Sequence, residues 1–106
     1  MFMRADEALA KATANKTHSI EIHRYKFSTK IEQAIEAAIA DGQVEMLVRS
    51  EPIPSLLGHE PVTPIIEELK AAGYTTKLHA SGTAGSDYWF YEYKISWGPK
   101  PQKVET

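Results

Sequence analysis

The sequence predicts a small α+β domain in which a long N-terminal helix and a second helix pack on a mainly antiparallel, three-stranded sheet. Two periodicities carry that prediction. Apolar residues at Phe27, Ile31, Ala34, Ile35, Ala38 and Ile39 recur at helical spacing, whereas Val44, Met46 and Val48 alternate with Glu45, Leu47 and Arg49 as in a strand with one buried face. The third observation is the stretch Tyr88–Trp97, which holds both tryptophans and three of the five tyrosines. With a period of two, Trp89, Tyr91, Tyr93, Ile95 and Trp97 share one face, and Tyr88, Phe90, Glu92, Lys94 and Ser96 share the other. The first set is expected in the core and the second half in water.

Taken in order, Asp6–Asn15 is rich in helix formers, with Asp6 and Glu7 placed to favour a helix start. Its apolar content is alanine plus Leu9, so residues 1–18 are expected to form an arm or helix with little to bury unless a partner covers it. Asn15–Ser19 reads as a break. The main domain is expected over 19–97. Its helix runs from about Ser19 to Asp41, with a strand at Ile20–Phe27 and a later helix start at Thr29 as the competing reading. Gly42 ends the helix in either case. A strand follows at Gln43–Ser50, and then residues 50–64, where four prolines exclude regular structure. Ile53, Leu56 and Leu57 are more apolar than a plain connector needs, which marks this loop for packing or binding. Thr63 is placed to cap a second helix, with Pro64 at its first position and Ile65, Ile66 and Leu69 on its buried side. Gly73 ends it. Tyr74–His79 reads as a strand, Ala80–Asp87 as a turn into the aromatic strand, and 98–106 as a flexible tail.

Composition narrows the function classes. The 106 residues suit one domain with one core, and 42% apolar against 25% charged residues is ordinary for a folded chain. Twelve Lys and Arg against fourteen Asp and Glu give a net charge of −2, which provides no strong nucleic-acid signal. With no cysteine there are no disulfides, thiolate metal sites or cysteine nucleophiles. No stretch has the length and apolarity of a signal peptide or a membrane span.

Candidate chemistry is sparse. His18, His23, His59 and His79 lack metal-ligand spacing, and Ser81–Ser86 lacks the lysine and following helix of a phosphate loop. Glu67 and Glu68 are adjacent on a helix and diverge. No catalytic residue, metal or cofactor is therefore expected. The aromatic strand could stack bases, but Arg and Lys are not concentrated around it, and core or interface accounts for it better.

The endings Ala37-Ala38-Ile39-Ala40-Asp41-Gly42 and Glu68-Leu69-Lys70-Ala71-Ala72-Gly73-Tyr74, followed by the tyrosine-rich strand and Ile95-Ser96-Trp97, resemble a loose class of small accessory and virion-associated proteins of tailed phages. The resemblance covers about Ala5 to Trp97. Its motifs are structural, and the insert Pro52–Pro64 is longer than the compact pattern. It implies a non-enzymatic bacteriophage structural protein, in the virion or the host cytoplasm, whose partners are other virion proteins or further copies of itself in a homo-oligomer. Leu9, Ile53, Leu56, Leu57, Tyr88 and Phe90 are the expected interface residues. The alternative is a phage accessory protein that sequesters a small molecule or nucleotide, with Arg49, His79, Ser81, Tyr88 and Phe90 as the ligand contacts.

Overall fold

A computed structural model describes residues 2–98, and the tail expected at 98–106 lies outside the described residues from Pro99 onward. The chain folds as α1 (Ala5–Ala40), β1 (Glu45–Arg49), β2 (Ile53–Pro54), a single 3-10 turn at Ser55–Leu57, α2 (Thr63–Ala71), β3 (Thr75–Thr83) and β4 (Tyr88–Ser96). The class is α+β, with the expected long helix, second helix and small antiparallel sheet.

Helix α1 runs for 36 residues without interruption, so the break expected at Asn15–Ser19 is absent and the alternative strand at Ile20–Phe27 does not form. None of Asn15–Ser19 is a true breaker, and Thr17 satisfies its own hydroxyl by donating to the Thr13 carbonyl at 3.1 Å. The isoleucines at 20 and 22 favour a strand locally, but the spacing of Ile20, Phe27, Ile31 and Ile35 lets a helix bury one continuous side against the sheet. Both helices end on glycines with positive φ, Gly42 at 75° and Gly73 at 99°. Each is followed by a residue whose amide reaches back into the last turn, Gln43 to the Ala38 carbonyl and Tyr74 to the Leu69 carbonyl. At the start of α2, Thr63 is the first helical residue rather than the cap, and its hydroxyl donates to the His59 carbonyl at 3.1 Å.

The sheet has four strands where three were expected, because the proline-rich segment contributes β2. Strand β4 lies at its centre. β3 pairs antiparallel along one edge from Thr75↔Ser96 to Thr83↔Trp89, and β1 and β2 together pair along the other, from Glu45↔Ser96 to Pro54↔Tyr88. Between β1 and β2 the register shifts by one residue. Ser50 occupies the shift: its amide donates to the Tyr91 carbonyl at 2.8 Å and its buried Oγ accepts from the Tyr91 amide at 3.0 Å. Pro54, with no donor, sits on an edge where none is required. β3 carries its own register shift between Leu78 and Ala80 and continues to Thr83, so Ala80–Thr83 is strand and not turn.

Both helices cover the same face of this sheet. Phe27, Ile31 and Ile35 of α1 and Ile65 and Ile66 of α2 close on Val48, Ile53, Tyr91, Tyr93 and Ile95, with Leu57 and Val62 sealing the end. The aromatic strand is thus core through Tyr91, Tyr93 and Ile95. Trp97 only packs on the core margin, edge-on to Tyr74, and Trp89 is 38% exposed, so the buried face is shorter than the alternation implied.

The arm has no such cover. Every residue from Ala5 to Asn15 is exposed, Lys16, Ser19 and Ile20 are partly buried, and Phe27 is the first buried residue of α1. The described residues therefore extend 74 × 23 × 23 Å, and their radius of gyration of 17.8 Å exceeds the ~13 Å of a compact chain this long. Stability should divide accordingly. Ile95→Ala is expected to cost roughly 2–5 kcal/mol in urea denaturation, and Tyr25→Ala, on the exposed side of α1, to change stability by no more than about 0.5 kcal/mol.

Candidate functional site

Two uncovered surfaces emerge, the outer face of the sheet and the arm with the groove at its base. On the outer face the register sets Leu47, Arg49, Tyr88, Phe90, Glu92 and Lys94 side by side. Arg49 lies over the Phe90 ring, 4.3 Å from its centroid, and its Nε donates to Glu92 Oε2 at 3.2 Å. His79, in the β3 irregularity, approaches the other oxygen of Glu92 at 3.9 Å. Lys94 pairs with Glu45 at 2.7 Å. Gly82 opens the space that Phe90 occupies, since a Cβ there would stand 3.2 Å from the Phe90 ring.

This arrangement holds some of the predicted ligand contacts together and separates others. Arg49 and Phe90 touch, His79 joins them through Glu92, and Tyr88 is the next outer-face position along β4. Ser81 does not join them. It pairs with Tyr91 and so belongs to the inner-face register, because the shift at His79 reverses which residues of β3 face outward. The Arg49 guanidinium is oriented by Phe90 and shares its Nε–H with Glu92, whose carboxylate offsets the positive charge that an anionic ligand would need. The face is built as a braced polar and aromatic surface. Among the described residues, no three His, Asp or Glu side chains could together hold a metal ion.

The predicted interface residues also divide. Leu9 is 69% exposed, Leu56 is 77% exposed, and Tyr88 and Phe90 lie on the open sheet face. Ile53 and Leu57 are buried in the chain's own core at 2% and 3% exposure, so neither is open to a partner. The apolar excess in the proline-rich loop is mainly packing, with Leu56 the exception.

Leu56 overlooks an open groove of about 800 Å³ between α1 and the loop, lined by Thr17, Ile20, Arg24, Leu56, Gly58 and His59 among others. Arg24 reaches the Glu60 carbonyl through Nη2 at 3.5 Å, while its buried Nε has no hydrogen-bond partner. His59 is fixed from beneath: its ring lies 4.0 Å from that of Tyr91, and the Tyr93 hydroxyl is 3.5 Å from its Nε2. Burial raises both phenols above their usual range, and for Tyr93 the neighbouring Tyr91 adds to the effect. His59 stands out in the sequence only as a histidine without ligand spacing and Arg24 carries no local signal, so sequence reasoning missed the groove that brings them together.

Comparison with known proteins finds no matching family model, no matching curated protein and no matching solved structure. Among the described residues, no helix is long and apolar enough to cross a membrane.

Two measurements check the electrostatics. A double-mutant cycle of Arg49→Ala and Glu92→Ala should give a coupling of about 0.2–1 kcal/mol that shrinks with added salt, as for a partly exposed pair. For His23, burial and then the charge of Lys26 lower its pKa below 6.5. The neutral form is thus favoured by folding, so stability is full above pH 6.5 and declines as pH falls through the folded value. An NMR titration should place the His23 midpoint below 6.5, and a midpoint above it would contradict the burial argument.

Proposed function

We propose that the chain is a non-enzymatic association protein, and, on the resemblance described above, a structural or accessory component of a bacteriophage virion. The observation that supports this reading is the arm. Eleven consecutive helical residues, Ala5–Asn15, are exposed and bury nothing in their own domain. The packed residues of α1 nucleate this arm, so it needs no partner to start the helix, but with no tertiary packing of its own it is held by helix propensity alone and a surface laid on Leu9 would stabilise it. The open sheet face adds a second contact surface in which Phe90, Arg49 and Glu92 are held in place before any partner arrives.

The sequestering alternative is less well supported. Its contacts lie on an open sheet face, the charge of its arginine is offset by Glu92, and Ser81 registers with the inner face.

The test is sedimentation with purified particles of the phage that encodes the chain. Full-length protein is expected to travel with the particles and the Leu9→Asp variant to be retained at least tenfold less, with both folding normally by circular dichroism. Absence of the full-length protein from particles would contradict the virion assignment, and equal retention of Leu9→Asp would contradict the role given to the arm.

A further inference from the structure

We infer that the partner of the arm is a second copy of this chain, bound through antiparallel pairing of the two arms with each N-terminal tip seated at the other copy's groove. The inference rests on the association reading above and deepens it by naming the partner. Helical spacing places Leu9, Lys16, Ile20 and Phe27 on one side of α1, so the apolar side of the arm continues the side that packs on the sheet. A helix laid along it runs into the corner formed by Thr17, Ile20, Arg24 and Leu56.

Charge selects the direction. On the Leu9 side of the arm the charged residues are Asp6 toward the start and Lys16 toward the domain, while Glu7 and Lys11 lie on the opposite side. A parallel pair would set like charges opposite each other. An antiparallel pair centred on Lys11 sets Asp6 opposite Lys16 and Leu9 opposite Thr13, and brings Phe2 to Ile20. Lys16 has no ion pair among the described residues, and the Arg4–Asp6 pair at 3.4 Å is solvent-exposed and free to exchange. Lys11 itself projects away from the Leu9 side, so its approach to the dyad brings no buried repulsion. Small side chains at Ala5 and Ala12 allow the helices to come close.

The pairing also gives three exposed apolar groups a common purpose. Phe2 and Met3, just ahead of the helix, reach the partner's groove beside Leu56, where the unpartnered Arg24 Nε also lies. Two arms carrying one leucine each and two short tips make a small interface, so the dimer is expected to be reversible, dissociating on the order of micromolar concentrations.

Sedimentation equilibrium of the full chain from roughly 1 to 200 μM spans that range. A monomer–dimer equilibrium is expected, weakened at least tenfold by Lys16→Glu and restored to within about threefold when Asp6→Lys is added. The chain has no cysteine, so single replacements report geometry directly. Ala12→Cys, near the dyad, is expected to form a disulfide-linked dimer, whereas Ala5→Cys is not, its two copies being roughly 18 Å apart along the axis at 1.5 Å per residue. A chain that stays monomeric throughout, or one in which Ala5→Cys links as readily as Ala12→Cys, overturns the proposal. A monomer that still travels with phage particles removes the arm pair and leaves the association reading standing. A linked antiparallel dimer that stays out of particles supports the pair and removes the virion assignment.

Discussion

A narrow sheet has room for one strand that is paired along both edges, and here that strand is β4. Its inner residues Tyr91, Tyr93 and Ile95 meet α1 and α2, while its backbone fixes the register of every other strand. The consequences spread outward from it. The Tyr91 peptide group requires partners where the opposite edge shifts register, and Ser50 supplies both. The Tyr91 ring supports His59, which anchors the loop leading into α2. Even the outer surface depends on it, since Phe90 and Glu92 are the groups that brace Arg49.

Where the sequence was legible, one buried face dominated a local pattern. Ile31 and Ile35 identify α1, Gly42 its end, and Val48 the buried side of β1, because in each case the local preference and the packed structure agree. The same reasoning found Tyr91, Tyr93 and Ile95. It failed where long-range pairing overrode local chemistry. Ala80–Thr83 has the composition of a turn, yet β4 draws it into the ladder. The apolar excess of the segment with Pro52 and Pro54 marks it for packing or binding and its prolines exclude regular structure locally, yet one residue of register shift lets Ile53 enter the core as a strand residue opposite Trp89. The extra residue at His79 likewise moves Ser81 off the surface it was assigned to, and no local signal announces it.

The candidate site was legible in part for the same reason. Phe90 and Glu92 could be placed on one face by counting along β4, but the cross-strand register was needed to set Arg49 opposite Glu92, and the irregularity in β3 to bring His79 to the same carboxylate. The groove at the base of the arm depends on Arg24 and His59, 35 positions apart in the chain, and on a helix that continues where a break was expected. Energetically the molecule divides into a core held by buried apolar area and an arm that exposes nearly all of its own. That division is the physical basis for assigning association to the arm.

Residue-resolved amide hydrogen exchange tests this division most directly. In dilute solution, amides of Ala8–Asn15 should exchange with little protection while those of Phe27–Ile35 open only with global unfolding, and raising the protein concentration should protect the arm selectively. Arm amides as protected as those of Phe27–Ile35 at every concentration would show a helix stable by itself, and would contradict the claim that the arm exists to be covered by a partner.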